Sequence, residues 1–210
     1  MTHTLDHLFV FCSVGAPEAA ALVARGLAVD LRRDHLGQGT SNVCIGFLGG
    51  YLELLWLRDD QEARDPLVKP LGLHERARWR ETRSSPFGVC VRPDEAGLPP
   101  PFATWDYRPK YLPAGLTIDM ACNSGVLGEP MLFRVERPFV PLGGSHALAH
   151  RELARATLTV PNLAPMSMWR EVRIPRLAVV DGDEHRLDLE FAAARSELDL
   201  RPALPLRLRF

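Results

Sequence analysis

At 210 residues, 46% hydrophobic and 24% charged, the chain has the composition of a folded globular protein rather than a disordered one. A formal charge of -1 with no block of Lys and Arg leaves no footprint for nucleic acid or a membrane surface, and neither is expected as a partner. The opening MTHTLDHLFVFC has no basic segment and its apolar run stops at Ser13, too short for a signal peptide or a spanning helix, so a cytoplasmic protein is expected.

In chain order, LDHLFVFC (5–12) alternates like a strand, SVGAP is a turn, and EAAALVARGL predicts a helix ending at Gly26. LAVDLRR (27–33) predicts a strand, HLGQGTSN (35–42) a loop, VCIGFL a strand, Gly49-Gly50 a tight turn and YLELLWL (51–57) a strand. The first module, 1–57, is therefore β-α-β-β-β. Residues 58–83 are charged, broken by Pro66 and Pro70, and read as a connector with a short helix near LHERARWRE. From SPFGVCV the opening pattern returns in a second, degenerate module (84–147) with strands at ATWDYRPKYL, GLTIDMAC and PMLFRVER. RATLTVPNLAPMSMWREV starts a third strand, turn and helix, and 148–210 is expected to be an added or partial third module. The fold class is α+β, built from paired βαβββ modules that complete one another. Cys12, Cys44, Cys90 and Cys122 are widely spaced in or beside apolar runs, which predicts buried, reduced thiols.

Alternation puts His7, Phe9 and Phe11 on one face of the first strand, and Tyr51, Glu53 and Leu55 on one face of the last. His7 and Glu53 each interrupt an apolar strand, and a buried carboxylate needs a proton, a partner or a metal. They can ligate an ion, bond each other, or, for Glu53, face solvent at an edge. HLGQGTSN is no P-loop, since it lacks the Lys and no helix follows it. Its His35 can ligate or move a proton, and Gln38, Thr40 and Asn42 can hold a polar ligand; alternatively the glycines only shape a turn. WDYRPKY offers Trp105, Tyr107, Arg108 and Tyr111 as a pocket lining or a surface loop. In HALAH, His146 and His150 lack the Glu of a zinc motif and read as a solvated helix start.

LDHLFVF, HLGQGTSN and GGYLELLWL, in this order and spacing, resemble glyoxalase-like members of the vicinal oxygen chelate superfamily, and PFATWDYRPKYLP with GEPMLF resembles the second half of one branch. The resemblance implies a cup-shaped half-barrel with a βαβββ-like C-terminal addition, acting on a small molecule as a monomer or homodimer. It implies a divalent metal (Zn, Fe, Mn or Ni) on His7 and Glu53, with Glu53 or His35 moving a proton. The second module departs from the family pattern. Phe87 falls at the His position and no carboxylate at the Glu position, with Glu129 just upstream. Two functions follow as expectations: a metal-assisted lyase, isomerase or dioxygenase passing through an enolate-like state, or a metal-free protein that binds or sequesters a small aromatic or anionic molecule.

Overall fold

The computed structural model describes residues 3–137, 139–142, 144–161, 163–164 and 167–210. The chain begins β1 (His3–Phe11), α1 (Ala19–Val23), β2 (Leu31–His35), β3 (Thr40–Phe47) and β4 (Gly50–Leu57). Short helices α2 (Asp60–Ala63), α3 (Leu73–Ala77) and α4 (Trp79–Thr82) make the connector, followed by β5 (Phe87–Pro93), β6 (Thr104–Tyr107), β7 (Ile118–Ala121) and β8 (Met131–Arg134). These eight strands form one open sheet in the order β2-β3-β4-β1-β5-β8-β7-β6. The chain is α+β, with two sheets and few helices. Among the described residues no helix is long and apolar enough to cross a membrane.

Several elements differ from their predicted extents. The helix expected over EAAALVARGL shrinks to α1, because Gly26 takes a left-handed φ of 78° and stops it. HLGQGTSN is half strand: His35 ends β2, Thr40 opens β3, and only Leu36–Gly39 turn. No helix lies between β5 and β6, where Pro-rich chain fills the gap. In the third segment the predicted helix is a 3-10 turn at Met168–Arg170; residues 162, 165 and 166 of that stretch lie outside those described.

The remaining strands, β9 (Leu153–Val160), β10 (Leu177–Asp181), β11 (Arg186–Phe191), β12 (Glu197–Asp199) and β13 (Leu206–Arg209), form a second sheet, ordered β10-β9-β11-β13-β12. From β12 to β10 its pairings run antiparallel, parallel, antiparallel, parallel. From β3 to β8 the larger sheet shows the same succession. The small sheet thus repeats the centre of the large one rather than the chain order of a single module.

Its apolar side, with Leu158, Leu189, Leu206 and Phe210, packs in one continuous core with Leu8, Val10, Leu52, Leu54, Val89 and Leu132 from the large sheet. The other face of the large sheet carries a separate cluster including Phe9, Phe11, Leu55, Met131 and Phe133, against connector residues Leu71 and Leu73. The second sheet therefore covers the back, and the connector borders the front. Cys44 and Cys90 are buried as expected, while Cys12 is half-buried and Cys122 exposed; all four are free thiols.

Candidate functional site

Cross-strand register arranges the front face in rows. Cys44, Glu53, Phe9, Gly88 and Met131 lie side by side across β3, β4, β1, β5 and β8. The next row holds Tyr51, His7, Cys90 and Phe133. His7 and Glu53 thus occupy adjacent rows on neighbouring parallel strands, and both line a cavity of about 550 Å³. Gly88 leaves room for the ring of Phe9, a lining residue, because a Cβ there would lie 2.0 Å from it. The second module contributes Gly88 and Cys90 to this face, whereas Phe87, aligned above with His7, points into the rear core.

A bulge in β1 creates the central pair. Leu5 pairs with Val91 and His7 with Cys90, leaving Asp6 as the extra residue. Leu5 joins the rear core, while the wholly buried Asp6 bonds the His7 ring, Oδ1 to Nδ1, at 2.7 Å. Burial alone would raise the Asp6 pKa, but the bond from His7 and the charges of His7, Arg137 and Arg92 outweigh it and hold it below the ordinary value. An ionised carboxylate only accepts, so Nδ1–H donates. In the neutral ring, Nε2 then carries the lone pair. The ring is fixed by stacking on Tyr51, 4.4 Å between centroids and 13° between planes, and by an edge contact with Phe133 at 5.5 Å.

Glu53, 8% exposed, accepts from Asn42 Nδ2 at 2.7 Å. His35 Nδ1 and Gln38 Nε2 each lie 2.9 Å from Thr40 Oγ1, and Gln38 Oε1 accepts from Tyr107 Oη at 3.1 Å. His35 also packs on Tyr111, centroids 4.6 Å apart. Burial, opposed by the charge of Glu53, lowers the His35 pKa, so this imidazole is neutral at pH 7.

Of the residues singled out from sequence, His7, His35, Gln38, Glu53, Tyr107 and Tyr111 line the cavity. Thr40 and Asn42 are buried behind it and support His35 and Glu53. Trp105 lies outside the lining, edge-on to Tyr107 and bonded to Ser124, and Arg108 is exposed beside Asp106. Glu129 is buried against Asn123 and borders a different groove. His146 is not a solvated helix residue: its side chain, 3% exposed, bonds that of Asp30 at 3.0 Å. Sequence reading missed Asp6, Tyr51's role as a stacking base, and Arg137. The lone signal for Asp6 was a charge beside His7 in an apolar strand.

The metal implied by the resemblance meets a poor donor set. Among the described residues no group of three or more converging His, Cys, Asp or Glu donors includes Glu53, His35 or Glu129. The group that converges, within 4.8 Å, is Asp6, His7 and Cys90. There Asp6 already faces Arg92 at 3.2 Å and Arg137 at 3.8 Å, which oppose a cation, and burial pushes the Cys90 thiol well up, so no thiolate forms readily. These residues do not fit a divalent ion.

Residues 5–98 match the family model described as Glyoxalase-like domain. No curated protein matches it. A solved structure described as a hypothetical protein from Staphylococcus aureus shares the fold over 100% of this chain and 99% of that one, with a TM-score of 0.60 at 11% identity. Methylmalonyl-CoA epimerase in complex with methylmalonyl-CoA and NH4+ aligns over 68% of this chain and 100% of its own, with a TM-score of 0.42 at 15% identity. The methylmalonyl-CoA epimerase from Mycobacterium tuberculosis aligns over 64% and 88%, with a TM-score of 0.40 at 14% identity.

Proposed function

We propose that the cavity binds a small oxygen-rich metabolite and moves a proton at the carbon beside its carbonyl, a lyase or isomerase step. His7 is the base and Glu53 the second proton carrier. The Asp6–His7 pair carries this reading: a buried acceptor fixes the tautomer, stacking fixes the ring, and the cavity-lining imidazole keeps Nε2 as a base. The proton leaves carbon for Nε2, the electron pair moves onto the carbonyl oxygen, and the Glu53 carboxylic acid delivers a proton to the resulting enolate, leaving a carboxylate and an imidazolium that exchange protons with solvent to reset the site. The buried Glu53, held through one oxygen by Asn42, is placed for that exchange.

The apolar walls, Phe9, Leu55, Met131 and Phe133, support a second reading, metal-free binding of a small aromatic molecule without turnover. Hydrogen–deuterium exchange of small 2-oxo and 2-hydroxycarbonyl compounds in D2O, followed by NMR, separates the two. Proton transfer predicts catalysed exchange that drops by about 100-fold or more in His7→Gln. Ligand binding with no catalysed exchange leaves only the binding reading.

A further inference from the structure

Around Asp6 two guanidiniums meet one carboxylate, and one of the two lines the cavity. Asp6, one carboxylate, sits between two guanidiniums, Arg92 at 3.2 Å and Arg137 at 3.8 Å. Arg92 is consumed there: it also bonds the carbonyls of Leu5 and Gly49 and lies over the Phe139 ring at 4.5 Å. Arg137 lines the cavity with its side chain 42% exposed, and its one hydrogen bond among the described residues runs from Nη2 to Tyr51 Oη at 3.4 Å. Most of its donor fork is left over. The acids that share the lining make their bonds elsewhere: Glu53 accepts from Asn42 at 2.7 Å, Asp34 accepts from Ser41 at 2.6 Å, and Glu136 accepts from Gly97 and pairs with Arg134.

Tyr51 completes the arrangement. Its oxygen accepts from Arg137, which leaves its own O–H to donate, and burial followed by the charges of Glu53 and Asp6 keeps the phenol protonated. A guanidinium fork beside a phenol O–H is a two-donor seat for a planar anion. The phenol ring is the surface on which His7 stacks, so an anion held there sets its neighbouring carbon against His7.

We propose that Arg137 and Tyr51 form a carboxylate subsite and that the ligand is a small organic acid, a 2-oxo or 2-hydroxy acid whose carboxylate rests on Arg137. This rests on the reading of the cavity as a proton-transfer site, and its test is one of binding alone. The full chain is titrated with phenylpyruvate and 2-hydroxy-3-phenylpropanoate and with the primary amide of each, using calorimetry and ligand-observed NMR. The native protein is expected to prefer each acid over its amide by about tenfold or more. In Arg137→Gln the acid and amide should bind alike, and Arg137→Lys should restore part of the preference. Unchanged thermal melting shows that the variants are folded. An absent preference in the native protein, or one that survives Arg137→Gln, overturns the subsite. An intact, Arg137-dependent preference without any His7-dependent exchange supports the subsite and overturns only the proton-transfer reading.

Discussion

At the scale of single residues, the site depends on buried polar groups whose partners are fixed. His35 and His185 are held neutral by burial, opposed by Glu53 for His35 and by a backbone bond at Arg83 for His185. A histidine whose folded pKa is depressed binds its proton more readily when unfolded. Stability is therefore complete above the unfolded value of about 6.5 and is lost as the pH falls toward the folded values. Urea unfolding between pH 7.5 and 5 should show this decline, and His35→Gln should flatten part of it; an unaltered slope contradicts the assignment. Arg76 is a different buried cation. Its guanidinium donates to the carbonyls of Leu71, Ser85, Ser124, Val126, Leu127 and Glu129 without a carboxylate bonded to it, and burial, opposed by Glu129 and Glu75, lowers its pKa to about 10, so it stays charged. Arg76→Met should cost about 3 kcal/mol or more by urea unfolding, since it strands those carbonyls. Arg76→Lys should rescue little, because an ammonium cannot span them.

At the scale of elements, the Leu36–Gly39 turn does bind an anion, and the anion is the protein's own. The N–H groups of Gly37 and Gly39, both at positive φ, donate to Glu62 Oε2 at 2.8 and 3.0 Å, and Arg58 pairs with the same oxygen. The turn and the connector helix α2 are thereby clamped together beside His35. Gly39 has no room for a side chain, because a Cβ would lie 2.3 Å from the Asp59 carbonyl. Glu62→Ala should cost about 1–2 kcal/mol. Gly39→Ala should cost more and also weaken ligand binding, as followed by thermal melting with and without ligand. Much of this module was legible in the sequence. Alternation alone grouped His7, Phe9 and Phe11 on one face of the first strand and Tyr51, Glu53 and Leu55 on one face of the last, and the register joins the two sets on the front of the sheet. The bulge at Asp6 was not legible, since it exists only in the register with β5, more than eighty residues away in the chain. Nor was the division of WDYRPKY: Trp105 shares its face with Tyr107 but sits beyond the cavity, and Arg108 lies past the end of β6.

At the scale of the molecule, the front of the large sheet is given to the cavity and the back to a core shared with the second sheet. None of the described residues from 153 to 210 lines the cavity, so they act on it through the sheet and the connector that they contact. Removing them would uncover Leu8, Val10, Leu52, Leu54, Val89 and Leu132, an apolar face too large to stay in water. A chain cut after residue 150 should aggregate on expression, while the full chain should melt in one transition. A soluble, monomeric fragment with a cooperative transition would contradict the shared core. The continuity of that core was not readable from sequence, because 148–210 resembles a further module in order but pairs its strands like the middle of the large sheet.

Proton transfer in the cavity depends on which nitrogen of His7 carries the proton. Nitrogen-15 NMR of the imidazole, at a pH where the ring is neutral, reads this directly, with Asp6→Asn for comparison. Nδ1–H with an unprotonated Nε2 is the expected result in the native protein, with loss of that single tautomer in Asp6→Asn. A ring protonated at Nε2 in the native protein would contradict it, because no base would then remain in the cavity at His7.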